Sequence, residues 1–106
     1  MSKFDEREKG FEANFSHDQE LAFKVTARRN RMLGLWAAQH LGLTGPAVDE
    51  YARQVVEADF TRPGDSDVIE KVAKDFAAKG IAIGAEQVAD ELHRCAAEAR
   101  KQVAAR

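Results

Sequence analysis

With a single cysteine, Cys95, the chain cannot form an internal disulfide, and this excludes the cross-linked frameworks of small secreted scaffolds. No apolar run approaches the ~18 residues that a membrane span needs, so no spanning segment and no direct membrane insertion are expected. The opening MSKFDEREK is charged and has no apolar stretch of the kind a secretory signal carries. These absences point to a cytoplasmic protein. The two prolines, Pro46 and Pro63, both fall where other signals already mark a break. The glycines are dispersed and read as helix stops, so no loop is built to cradle phosphate. Charge of one sign is also missing. At 32% charged residues and a formal net charge of -2, the chain does not resemble a protein that wraps nucleic acid or coats an anionic membrane.

What the sequence does contain is helix-forming residues in amphipathic order, with no strand-like alternation. Ser16-His17-Asp18-Gln19 reads as a capping box that opens a helix from about His17 to Leu41, stopped at Gly42. Its apolar stripe is Leu21, Val25, Met32, Leu35 and Trp36. A second helix opens at Thr44-Gly45-Pro46, carries Val48, Ala52, Val55, Val56 and Phe60 on one face, and ends at Pro63-Gly64. Asp65-Ser66-Asp67 can cap a third helix bearing Ile69, Val72 and Phe76, with Gly80 as its stop. Ile81-Ala82-Ile83-Gly84 reads as a connector because no second strand exists to pair with it. Gly84 then caps a fourth helix with the stripe Val88, Leu92, Cys95, Ala99 and Val103, and Ile83 staples onto Val88. Short connectors between four such helices predict an all-α, four-helix antiparallel bundle over residues 16–106.

Residues 1–15 differ from the rest. On a helix, Phe4, Phe11 and Phe15 fall within roughly 40° of one another, and Asp5, Glu6, Arg7, Glu8, Lys9 and Glu12 surround them. Burying three phenylalanines gives ~5 to 9 kcal/mol at best, whereas ordering fifteen residues of backbone costs ~15 kcal/mol or more. Gly10 adds about 1 kcal/mol against alanine. The segment is therefore expected to be a mobile arm that becomes helical in a partner's groove. The alternative is that the three rings fold back on the bundle.

Lys24, Arg28, Arg29 and Arg31 form a basic stretch with no acid between positions 21 and 34. Lys24, Arg28 and Arg31 share one face and could hold a nucleotide, nucleic acid or an acidic protein surface; a solvated, paired face is the plainer reading. His17, His40 and His93 have no metal spacing, and His17 is a pH sensor only if the arm junction titrates. Cys95 sits on an apolar stripe as packing. Ser16, Ser66, Thr26, Thr44 and Thr61 have no base or orienting partner, so catalysis is not expected, and no cofactor is implied.

The stretches FDEREKGFEANFSHDQELAFK and ARRNRMLGLWAAQHLG, followed by VVEADFTRPGDSDVIEKVAKDF, closely resemble the zeta subunit of the alphaproteobacterial F-type ATP synthase. The combination of F-D-x-R-E, F-E-x-x-F and A-R-R-N-R-x-L-G-L-W-A is specific, and the resemblance runs nearly end to end. It implies a four-helix bundle with a mobile inhibitory N-terminal segment. That segment would enter an interface between the alpha and beta subunits of the catalytic head, beside gamma, become helical there, and block rotation and ATP hydrolysis. Carried onto this chain, the partner-binding positions are Phe4, Asp5, Arg7, Glu8, Phe11, Glu12 and Phe15. The free protein is expected to be a monomer that joins the ATP synthase on the cytoplasmic face of the inner membrane. Gly10 and Asn14 depart from the family pattern, which has alanine and a basic residue there, and both weaken a bound helix.

Overall fold

The computed structural model of the chain describes the backbone of residues 3–61 and 65–104 and the side chains of residues 19–59 and 65–104. Four helices run in order: α1 Lys3–His40, α2 Pro46–Thr61, α3 Ser66–Ala78 and α4 Ala85–Ala104. Each packs on its neighbour in sequence, and α4 closes the ring against α1. Across the ring, α1 barely meets α3, and α2 does not touch α4 among the described residues. The result is the expected four-helix antiparallel bundle.

The helix ends follow local chemistry. At the end of α1, Gly42 takes φ +75°. Its amide donates to Gln39 O at 3.1 Å, and that of Leu43 donates to Ala38 O at 3.0 Å. This pair of bonds is a Schellman cap, which satisfies carbonyls the helix leaves unpaired. α3 ends the same way, with Gly80 at φ +72° and Ile81 donating to Phe76 O at 2.9 Å. Ahead of α4, the Gly84 amide donates to Gln87 Oε1 at 2.9 Å, the backward arm of a capping box. Ile83 packs onto the core that contains Val88. Asp65 precedes α3 but makes no side-chain cap bond, so its contribution there is charge beside the helix's positive end.

Two expectations need correction. The helix does not start at His17: α1 runs unbroken through Ser16-His17-Asp18-Gln19. None of these residues breaks a helix, each costing at most about 0.7 kcal/mol relative to alanine. The side chains of the arm and of Phe60, and the Pro63-Gly64 stop, lie outside the described residues. The second correction concerns the stripe on α1. Leu21, Val25, Met32, Leu35 and Trp36 are only half-buried, while Asn30, Leu33, Gly34, Ala37, Ala38 and Leu41 form the buried face. The cause is a close helix crossing. A Cβ placed on Gly34 would lie 2.7 Å from Ala52 Cα, so α1 and α2 meet backbone to backbone. Gly34 is thus a contact point inside a helix and not a helix stop.

The core draws on all four helices: Leu33 and Ala37 of α1, Val55 of α2, Val68, Val72 and Phe76 of α3, and Val88, Leu92 and Cys95 of α4 are all fully enclosed or nearly so. Trp36 and Phe76 meet edge to face at 5.6 Å, joining α1 to α3. α1 has 38 residues, against 16 in α2 and 20 in α4. At about 1.5 Å per residue, neither partner can flank α1 over its whole length.

Candidate functional site

α1 places Lys24, Arg28 and Arg31 on one face because they recur at i+4 and i+3. The apolar residues of the same face, Leu21, Met32 and Leu35, are interleaved with them. Together they form the floor of an open groove of about 1150 Å³. One wall is α2, through Arg53 and Val56; the other is the last turn of α4, through Gln102 and Val103. Phe23, 58% exposed, lies at the edge.

The groove is basic over an apolar floor. Among the described residues its lining holds four cations, Lys24, Arg28, Arg31 and Arg53, and no carboxylate. They are held to different degrees. Arg28 Nη1 donates to Gln102 Oε1 at 3.0 Å, which ties α1 to α4. Arg31 pairs with Asp49 at 3.2 Å, but both side chains are more than half exposed, and such a pair contributes little and exchanges readily. Arg53 is flanked within α2 by Glu50 and Glu57, each at 2.7 Å. Lys24 is exposed and makes no ion pair among the described residues. Arg31 thus fits the plain reading of a solvated, paired face, while Lys24 and Arg28 line the groove with no carboxylate partner among the described residues.

Arg29, one residue from Arg28, does something else. Its Nη1 donates to Asp65 at 3.0 Å and its Nε to Asn30 Oδ1 at 3.0 Å, with the side chain 11% exposed. It fastens α1 to the start of α3. A second polar tie joins α2 to α3: the Tyr51 hydroxyl donates to Asp75 Oδ2 at 2.8 Å, and Lys71 Nζ reaches the same oxygen at 3.0 Å. Burial, followed by the Asp75 hydrogen bond, drives the Tyr51 phenol far above its ordinary range. These contacts are structural.

The remaining sequence candidates stay apart. Cys95 is enclosed and His93 is exposed. Burial pushes the Cys95 thiol up, which makes it a poor nucleophile. His40 lies against the Trp36 ring at 4.9 Å, edge to face. No group of three or more metal-ligating side chains occurs among the described residues. The side chains of Phe4, Asp5, Arg7, Glu8, Phe11, Glu12, Phe15 and His17 lie outside the described residues. The groove residues that sequence reasoning missed are Arg53, Val56, Gln102 and Val103. Helical spacing pairs the first two with each other, but nothing local to the sequence connects them to α1.

The arrangement suits an anionic partner with an apolar surface, and it lacks the convergent base, nucleophile and electrophile of an active site. No curated protein matches the sequence. A family model described as ATPase inhibitor subunit zeta matches residues 1–102. Since that match takes in the arm and all four helices, the chain belongs to the ATPase inhibitor subunit zeta family.

Proposed function

We propose that this chain inhibits ATP hydrolysis by inserting residues 1–15, as a helix, between an alpha and a beta subunit of the catalytic head beside gamma, so that rotation stops. Family membership implies the coarser statements: the protein is an inhibitor subunit and not an enzyme, its target is the F-type ATPase, and it binds the F-type ATP synthase. No helix among the described residues is long and apolar enough to cross a membrane. Association with the synthase would then bring the protein to the cytoplasmic face of the membrane.

The observation that carries the mechanistic reading is that the family match includes the arm, positions 1–15. There the spacing of Phe4, Phe11 and Phe15 would put three rings on one side of a bound helix. Aromatic anchors supply most of the energy in a groove. Asp5, Arg7, Glu8 and Glu12 would set register and partner choice through charge. The test is ATP hydrolysis by the cognate catalytic head, with full-length protein and a 1–15 deletion side by side. Inhibition by the full chain alone supports the reading; equal inhibition by the deletion variant refutes it.

A second reading is favoured by the gathering of Lys24, Arg28 and Arg31 with Arg53 at one groove. In it the bundle is a binding module for a nucleotide or nucleic acid, with weak or no inhibition of the ATPase. Its signature is salt-sensitive binding that disappears in the Arg28→Glu/Arg31→Glu variant. Amide shifts during titration with nucleotide or short DNA read this out, and unmoved signals at positions 24–31 reject it.

A further inference from the structure

We infer that the outer face of α1 is a second contact with the catalytic head, a seat for one acidic amphipathic helix of a head subunit packed along residues 21–35. This rests on the reading that residues 1–15 enter the head, and it adds how the bundle is held once they have.

Leu21, Lys24, Arg28, Arg31 and Leu35 follow one another along α1 at intervals of three, four, three and four. That spacing keeps a seam of one helix turned toward another packed along it. All five residues line the groove bordered by α2 and the last turn of α4. None belongs to the buried face of α1, which is made by residues such as Leu33, Ala37, Ala38 and Leu41. α1 therefore carries two seams. The inner one is covered by the bundle's own helices, and the outer one lies open in the groove. At about 1.5 Å per residue the outer seam is ~21 Å long, roughly four turns of a partner helix.

Charge narrows the partner. The whole chain has a formal net charge of only -2, yet the groove lining gathers four cations and, among the described residues, no carboxylate. Three of the cations hold consecutive seam positions, with a leucine at each end. The complement is a helix with acids at three consecutive seam positions and apolar residues on either side of them. Lys24 is exposed and makes no ion pair among the described residues, and the exposed Arg31–Asp49 pair exchanges readily, so both cations are available to such a helix. A polyphosphate suits the groove less well. Phosphates are held where helix N-termini or turn amides converge. Here α1 and α2 present their middles, and α4 presents its C-terminal turn, the negative end of its dipole. Carboxylates spread along a helix sit beside the α1 cations and need no free amides.

Position supplies the source of that helix. α1 is one unbroken helix from Lys3 to His40. Leu21 stands six residues, about 9 Å, beyond position 15. With residues 1–15 inserted, the outer seam begins just outside the entry and meets the head where its surface borders that entry. Two contacts on one rod reinforce each other, because the first raises the effective concentration of the second.

A photoreactive benzophenone side chain in place of Leu35, in the full-length protein bound to the cognate catalytic head, tests this. The expected product is a crosslink to a head-subunit helix that carries three acids at three- and four-residue spacing. The companion variant Lys24→Glu/Arg31→Glu keeps the Arg28–Gln102 tie, and circular dichroism melts check that it is folded. It is expected to need about tenfold more protein for half-maximal inhibition of ATP hydrolysis at low salt, with the gap narrowing at high salt. Changing the acids of the crosslinked helix to lysine should close that gap, which a defect in the bundle itself would not allow. A crosslink only to a second copy of this chain, or to a head segment without acids, would overturn the proposal. So would an unchanged half-maximal concentration in the variant. Amide shifts at positions 24–31 when ATP or short single-stranded DNA is added to the free protein, absent in the variant, would assign the groove to a nucleotide or nucleic acid instead. Full inhibition without any crosslink from position 35 leaves the inhibitory arm standing and removes this contact; no inhibition by the full-length protein removes both.

Discussion

Replacing Gly34 with alanine tests the fold at its tightest point, and the two relevant effects have opposite signs. Gly34 sits inside α1, where alanine is favoured over glycine by about 0.8–1.0 kcal/mol. On propensity alone the variant would be more stable. The new Cβ would meet Ala52 Cα at 2.7 Å, Ala52 Cβ at 3.2 Å and Val55 Cβ at 3.3 Å. Ordinary contact begins at 3.4 Å, so α1 and α2 must separate by about 0.7 Å (3.4 less 2.7) at the crossing. The obstructing atom is backbone and cannot rotate away. Inserting one carbon into a packed core costs typically ~1–3 kcal/mol, and a backbone obstruction belongs in the upper half of that range. The net expectation is destabilisation by about 1–2 kcal/mol, a fall in Tm of roughly 5–15 °C for a domain of this size. Circular dichroism melts and urea titrations of the two proteins measure it. A rise in Tm of several degrees would show that helix propensity dominates and that the close crossing does not constrain the fold.

Two further perturbations follow from the same packing. Gly80→Ala forces a side chain into a left-handed residue at φ +72° and strains the cap in which Ile81 donates to Phe76 O; a loss of about 1–2 kcal/mol is expected in urea titration. Tyr51→Phe removes the 2.8 Å bond to Asp75, which keeps Lys71 as a partner, so the expected cost at neutral pH is about 1 kcal/mol. Because the folded protein holds the Tyr51 phenol above its unfolded value of about 10, the stability it contributes is complete below that pH and is lost as the pH rises beyond it. Urea titrations at pH 8 and pH 11 should therefore show the stability gap between wild type and Tyr51→Phe shrinking at the higher pH; an unchanged gap would contradict the buried, hydrogen-bonded phenol.

Amphipathic order and end chemistry made much of the bundle legible in the sequence. The α4 stripe is the clearest case: Val88, Leu92, Cys95 and Ala99 are all buried, as their spacing requires, and only its last member, Val103, is half-buried and lines the groove. Gly42 and Gly80 stop their helices where a left-handed residue is needed. The α1 stripe was misplaced because hydropathy favours large side chains, whereas a close crossing selects small ones. Leu21 and Leu35 looked like core and instead floor an open groove, Met32 packs on the core and lines the groove as well, and Gly34, Ala37 and Ala38 face α2 and the interior. The basic stretch was visible, but its division was not. Adjacent residues on a helix point about 100° apart, so Arg28 turns to the groove and Arg29 to Asp65.

The sequence by itself determined the number and order of the helices, and the family through the arm and the A-R-R-N-R motif. All of these are local patterns, readable from residues near one another in the chain. The tertiary structure alone decided which side of α1 is inside and that a groove exists. It did so because Arg53, Val56, Gln102 and Val103 come from helices 20 to 80 residues away along the chain, and only packing brings them beside Lys24 and Arg28.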